Sequence, residues 1–296
     1  MNKKSSVYVL MCACFLCGLY WWLTLPKSEL VSLSSLKTDL ENGEKVFYAA
    51  GCKSCHLSQM MPGENAPILG GGRKFVTKYG IFYAPNISMS KIHGIGDWAF
   101  EEFSKAVKYG ISPEKTHYFP AFPYGSYRKI TNKDVKDLWA FWQTLPASEV
   151  LNIPHEIAFP YNIRRNIGIW KKLFISSDWV VKTNLTLVEE RGRYLVEGLG
   201  HCGECHTPRN IFGGLKKEQW LYGVKNFTGG GNVPNITAST LNWSVEEISE
   251  YLFSGFTPDF DTASGHMAEV IENLSRLPRN DHLAIARYLK RTKVGH

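Results

Sequence analysis

The sequence predicts an all-α chain: two tandem helical modules joined by a packed linker and preceded by one N-terminal transmembrane helix. Three observations carry that expectation. They are an uncharged run near the N-terminus, a set of motifs that recurs at a near-constant offset, and helix-start signals set ahead of apolar positions at helical spacing. The 296 residues, 44% hydrophobic and 21% charged, have the composition of a globular chain and exclude a disordered, collagenous or multispan protein. A formal charge of +7 is a mild excess, short of a basic nucleic-acid-binding stripe, so no nucleic-acid partner is expected. The organisation expected is an anchor or signal segment over 1–35, a first module over 36–150, a linker over 151–183 and a second module over 184–296.

At the N-terminus, Lys3 and Lys4 precede an uncharged run from Val7 to Leu25. As a helix rising about 1.5 Å per residue it reaches roughly 28 Å, about one hydrocarbon core. Tyr20, Trp21 and Trp22 stand near its far end, where amphipathic rings prefer the membrane interface, and Pro26 closes it. The lysines mark the cytoplasmic side of an inner membrane crossed once, leaving the rest of the chain on the opposite face. A cleaved signal peptide is the alternative; against it, no small-x-small site precedes Pro26, and the run exceeds the usual apolar core of about 7 to 15 residues. Cys12, Cys14 and Cys17 read as small apolar side chains in this helix.

The other cysteines form two C-x-x-C pairs, Cys52/Cys55 and Cys202/Cys205, each followed at once by a histidine, His56 or His206. On one helical turn, residues i and i+3 present both sulfurs to one face and residue i+4 lies beside them. Two thioethers can hold the edge of a porphyrin while that histidine binds the iron from one side. A zinc site shared by the four cysteines, or a thioredoxin-like redox pair, leaves both histidines unexplained. Two covalently bound haem c groups are therefore expected, with His56 and His206 as iron ligands.

Around these pairs the chain is duplicated. The haem motifs repeat at an offset of 150, Pro85-Asn86-Ile87-Ser88 matches Pro234-Asn235-Ile236-Thr237 at 149, and Trp98, Glu101, Gly110 and Pro113 match Trp243, Glu246, Gly255 and Pro258 at 145. Thr38 with Glu41, Thr186 with Glu189 and Ser244 with Glu247 read as capping boxes. The last of these opens a helix ending at Gly255, matched by one from about Trp98 to Gly110. Thr131 with Asp134 opens a helix placing Val135, Leu138, Trp139 and Trp142 on one face, repeated by residues 279 to 292. Gly70 to Gly72 and Gly229 to Gly231 read as loops, and no strand alternation stands out. The linker, with Pro154, Pro160 and Arg164-Arg165, carries Phe159, Tyr161, Ile169, Trp170, Leu173 and Phe174, too apolar for a solvated tether. Its arginines face either haem propionates or solvent.

An electron-transfer haem usually has a second axial ligand, most often methionine or histidine. In the second module that ligand is Met267, the only methionine after His206, with the neighbouring His266 a weaker candidate. The offset of 145 places Phe122 at the corresponding position of the first module, and phenylalanine cannot bind iron. The nearby donors are His117, His93, Met89, Met60 and Met61, and three outcomes remain for the first iron: a five-coordinate or water-bound iron under the aromatic segment Tyr118 to Tyr124, ligation by His117, or ligation by one of the methionines.

The segments C-K-S-C-H, A-P-N-I-S, Y-F-P-A-F-P-Y, G-H-C-G-E-C-H-T-P-R-N, V-P-N-I-T and G-H-M-A-E-V resemble the diheme and multiheme cytochrome c family that includes the membrane-bound cytochrome subunits of bacterial alcohol, gluconate and sorbitol dehydrogenases. The resemblance covers residues from about 38 to 292. It implies two class I cytochrome c folds in the periplasm that take electrons from a periplasmic dehydrogenase and pass them to quinone, a cytochrome or a terminal oxidase of the respiratory chain. It also implies that Asn86 and Asn235 lie near haem propionates. The chain departs from those subunits in having two haem motifs where they have three, and in Phe122. Because thioether ligation raises a haem's potential, electrons are expected to run from the first haem to the second. The rival expectation is an enzyme whose open first haem acts on peroxide, a sulfur oxyanion or a nitrogen oxide; a gas sensor is a third. No catalytic residues are assigned, since no nucleophile triad, phosphate loop or nucleotide fingerprint is present.

Overall fold

Helix α1 (Lys3–Leu23) runs through the uncharged stretch, and its window Ser6–Leu23 is long and apolar enough to cross a bilayer. The computed structural model that places it describes residues 3–28, 37–58, 66–227 and 231–292. The C-terminal end of α1 is fastened to the body. Thr24 is fully buried, and its carbonyl oxygen accepts a hydrogen bond from His117 Nε2 at 3.0 Å. The Tyr20 hydroxyl donates to Asn166 Oδ1 at 2.8 Å, while Arg165 donates to the Trp21 carbonyl at 3.0 Å and stacks 3.5 Å from that ring's centroid.

Then follow α2 (Leu40–Ala49), α3 (Cys52–His56), strands β1 (Lys74–Thr77) and β2 (Gly80–Tyr83), α4 (Phe100–Tyr109), α5 (Tyr124–Tyr127), α6 (Asn132–Trp142), strand β3 (Glu156–Ile157) and α7 (Ile167–Phe174). The C-terminal half consists of α8 (Leu187–Arg193), continued by a π-helical turn over Tyr194–Leu199, then α9 (Gly203–His206), α10 (Val245–Ser254), α11 (His266–Leu274) and α12 (Arg279–Leu289). Thr186 and Ser244 cap α8 and α10 in boxes with Glu189 and Glu247, and Thr131 caps α6. At α2 the cap is Asp39, which accepts from Asn42 N at 3.0 Å, and not Thr38; Glu41 instead pairs with Lys45 one turn on. Gly110 and Gly255 end α4 and α10 in the left-handed conformation.

The expectation of an all-helical chain needs correction. β1, β2 and β3 form a three-stranded antiparallel sheet, with Phe75 opposite Phe82 and Gly80 opposite Ile157. Aromatic and β-branched residues flank the turn at Lys78 and Tyr79, which suits a short pleated ribbon, and the linker supplies its third strand. The chain is mostly helical with this one small sheet. The linker is also less packed than its composition suggests: Phe159, Tyr161 and Leu173 are 77%, 52% and 69% exposed, whereas Ile169, Trp170 and Phe174 are partly covered. Gly70 to Gly72 lie in a loop as expected; Gly229 and Gly230 fall outside the described residues.

The two halves repeat one packing arrangement. α2 packs on α6 in the first, α8 on α12 in the second, with α4 on α6 and α10 on α12 beside them. At each main crossing a glycine lets two backbones approach: a Cβ on Gly43 would stand 2.1 Å from the Asp137 carbonyl oxygen, and one on Gly192 would stand 2.0 Å from that of Ala284. Phe47, Val135, Leu138 and Trp142 of the first half and Leu195, Leu199, Ile285 and Tyr288 of the second belong to one continuous apolar core.

Either Gly43→Ala or Gly192→Ala is expected to force its helix pair apart and destabilise the protein by about 2–3 kcal/mol, read from the denaturant midpoint. Gly198→Ala, whose Cβ would meet nothing closer than 3.8 Å, is expected to stay within about 0.5 kcal/mol of the parent.

Candidate haem sites

Helices α3 and α9 are single turns that bring Cys52, Cys55 and His56, and Cys202, Cys205 and His206, onto the wall of one continuous cavity of about 2640 Å³. Each turn is entered through a local device. Gly51 precedes Cys52 with a left-handed backbone, and the π-helical turn precedes His201 and Cys202. Neither cysteine pair is cross-linked.

Each of the two histidines is held the same way. His56 Nδ1 lies 2.9 Å from the Pro85 carbonyl oxygen, and His206 Nδ1 lies 2.8 Å from that of Pro234. A carbonyl oxygen only accepts, so Nδ1 carries the proton in both rings and Nε2 keeps its lone pair. Burial pushes the His56 ring down to about 4 and lowers that of His206, keeping both neutral at physiological pH. Burial also pushes the thiols of Cys52 and Cys202 up to about 12 and that of Cys205 to about 11, and raises Cys55. Among the described residues no three His, Cys, Asp or Glu side chains gather as a group that could hold a metal ion. A neutral imidazole with a free Nε2, two thiols on the same turn and apolar walls are what a covalently held haem requires.

The walls show the duplication again. Trp98, Phe103 and Val107 line the cavity from the first half, and Trp243, Ile248 and Leu252 line it from the second, each pair separated by 145. Phe122 and Met267, a further pair at that offset, both line it. Arg164 lies on the wall 4.9 Å from the Phe119 ring centroid, while Arg165 is committed to the end of α1.

His117 is placed elsewhere. It is buried and is not on the cavity wall; Nε2 is engaged by the Thr24 carbonyl, and Nδ1 lies 3.2 Å from Lys171 Nζ. Its ring is held below the ordinary histidine range, chiefly by burial. Lys171 also donates to the carbonyls of Tyr109 and Gly110 at 2.6 and 2.8 Å, and burial pushes its ammonium down to about 7. His93 and Met89 are likewise absent from the wall, and Met60 and Met61 lie outside the described residues. His266 is exposed, with Nδ1 accepting from Arg73 Nη2 at 3.2 Å.

The two asparagines serve their loops. Asn86 is buried and donates both amide hydrogens, to the Ser148 and Val150 carbonyls at 2.7 and 2.8 Å, while its Oδ1 accepts from Ser88 N. No hydrogen of that amide remains for a propionate. Asn235 Oδ1 accepts from Thr237 N and from the Thr237 hydroxyl, at 2.9 and 2.7 Å. These turns aim the preceding proline carbonyls at the histidines.

Sequence reasoning missed the contact between the two attachment segments. The Tyr127 hydroxyl donates to the Ala50 carbonyl, two residues before Cys52, and the Tyr127 ring meets that of His201, immediately before Cys202, at a centroid distance of 5.6 Å. Ser126 reaches Glu204 at 3.2 Å. Helix α5 thus lies between the two motifs; apart from the aromatic character of its segment, nothing in the sequence signals it.

Comparison with known proteins agrees with this geometry. A cytochrome c family model matches residues 40–146. A diheme cytochrome c-type protein of Cereibacter sphaeroides is 50% identical over 271 residues, covering 91% of this chain and 92% of its own. The fructose dehydrogenase cytochrome subunit of Gluconobacter japonicus is 34% identical over 89% of this chain and 54% of its own length, and the gluconate 2-dehydrogenase cytochrome c subunit of Pantoea cypripedii is 34% identical over 85% and 59%. This chain therefore spans nearly all of the first relative and little more than half of the other two. With paired C-x-x-C-H turns, neutral histidines held by proline carbonyls, and half the residues of a diheme relative in common, the chain belongs to the cytochrome c family.

Proposed function

We propose that this chain is a membrane-anchored, periplasmic diheme c-type cytochrome that transfers electrons from a periplasmic dehydrogenase toward quinone, a cytochrome or a terminal oxidase. Its parts are the anchor over 1–35, two tandem class I cytochrome c domains over 36–150 and 184–296, and the linker over 151–183. One observation carries the reading: the same Nδ1–H···O=C bond from a proline orients the histidine of each C-x-x-C-H turn and leaves Nε2 free toward the cavity. The cytochrome subunits of fructose and gluconate dehydrogenases among the relatives support a dehydrogenase donor, and α1 supports single-pass anchoring.

Haem c bound at both sites supplies a one-electron iron couple at each, with methionine ligation favouring the higher potential. Cys52 and Cys55, and Cys202 and Cys205, hold the porphyrin edges. His56 and His206 would hold the two irons through Nε2, and Met267 would be a further iron ligand in the second domain. Trp98, Trp243 and their aliphatic neighbours exclude water. Asn86 and Asn235 shape the proximal loops, and Asn235 also offers its amide near a propionate. In the first domain, Phe122 stands where the second has its sulfur, and His117 is committed to Thr24 and Lys171.

That asymmetry favours a second reading, a haem enzyme with an open first site acting on peroxide, a sulfur oxyanion or a nitrogen oxide. Protein kept reduced by an excess of an artificial electron donor and mixed with hydrogen peroxide, tetrathionate or nitrite is expected to show no consumption of any of them above a protein-free control; turnover with one decides for the enzyme.

Intact-mass spectrometry of the detergent-extracted protein is expected to show two added haem masses. Replacing Cys52 and Cys55 by serine removes one and replacing Cys202 and Cys205 removes the other; a mature chain with no such mass at either pair refutes the proposal.

A further inference from the structure

Helix α11 carries Met267 in its first turn, yet much of its polar anchorage comes from the opposite half of the chain. It packs on α3, the turn holding Cys52, Cys55 and His56, and on α2. Lys53 Nζ reaches Glu272 Oε1 at 2.6 Å, and Asn273 Nδ2 donates to the Ser54 hydroxyl at 2.6 Å. Arg276 covers the Tyr48 ring at 5.2 Å.

The contact nearest Met267 is made by Arg73. Its Nη1 donates to Glu269 Oε2 at 2.6 Å and to the Ser54 carbonyl, and its Nη2 donates to His266 Nδ1 at 3.2 Å. The guanidinium therefore grips the residue before Met267 and the second residue after it, while its third bond ends on α3. Only 20% of the Arg73 side chain is exposed, so these charge-assisted bonds are partly shielded from water. The N-cap of α11, Gly265, supplies no side-chain hydrogen bond, so besides the apolar packing of Met267 and Val270 and the contact with α10, the polar hold on the first turn comes from Arg73. Arg73, Met267 and Glu269 all lie on the cavity wall.

We infer that Arg73, backed by Lys53 and Ser54, is a positioning residue that holds Met267 toward the second iron, so that the first half of the chain completes the ligand set of the second. This rests on Met267 being the sixth ligand. Arginine suits the task because its planar fork serves three acceptors at once, which the point charge of lysine cannot do.

The test uses the full-length holoprotein in detergent and reads three signals: the methionine-to-iron charge-transfer absorption of the oxidised protein, the two redox midpoints, and the affinity for added imidazole, which competes with methionine for iron. Arg73→Ala is expected to weaken the absorption, lower the midpoint of the second haem alone, and tighten imidazole binding there roughly tenfold, the consequence of losing one to two charge-assisted hydrogen bonds. Glu269→Gln, which leaves α3 and Arg73 in place, is expected to move the same signals in the same direction, and it serves if Arg73→Ala fails to mature. Arg73→Lys is expected to restore them in part. If Met267→Ala leaves the absorption unchanged, the ligand assignment itself fails. If Met267→Ala abolishes it while Arg73→Ala and Glu269→Gln leave absorption, second midpoint and imidazole affinity unchanged, or shift only the first haem, the positioning role is overturned.

Discussion

The bond between each motif histidine and a proline carbonyl organises the molecule. It fixes the tautomer, and with it which ring nitrogen is free. It needs the Pro-Asn loop to return to the C-x-x-C-H turn, which accounts for the two motifs recurring together at nearly the same offset. Holding that loop in place uses other parts of the chain: the Asn86 amide ties it to the backbone at Ser148 and Val150, beyond the end of α6. Burial then keeps the motif imidazoles and thiols uncharged, while Arg73, Arg164 and Glu269 bring charge to other parts of the same wall.

What the sequence revealed and what it hid divide along local and non-local lines. The spacing of Cys52, Cys55 and His56 is read within one helical turn, as are the boxes at Thr186 and Ser244. Asp39 displaced Thr38 because two adjacent side chains can both cap and only three-dimensional placement chooses between them. The hairpin of β1 and β2 escaped notice because its strands are four residues each and its turn lacks an Asn-Gly or Asp-Gly pair. Nothing in the sequence pattern singles out Gly43 and Gly192; that each admits a second backbone becomes visible only once α6 and α12 are in place. His117 is the clearest case: the same letter suits an iron ligand or a buried hydrogen-bonding group, and its contacts with Thr24 and Lys171, 93 and 54 residues away, cannot be read from its neighbours in sequence.

The repeat is also broken in an informative way. The halves do not sit side by side as independent beads: they share one apolar core, α5 is wedged between the two attachment segments, and the Tyr194 hydroxyl, which donates to Asp134, accepts from Thr131 N at 3.1 Å. Two halves of similar packing thus meet at a seam where each forms part of its neighbour's surroundings.

The seating of Thr24 has a further consequence. With its carbonyl held by His117 and its Cα 2.8 Å from where a Cβ on Gly168 would stand, the end of α1 is built into the body instead of dangling from it. Mounted this way, α1 is a mast and not a mooring line: its direction relative to the body comes with the fold.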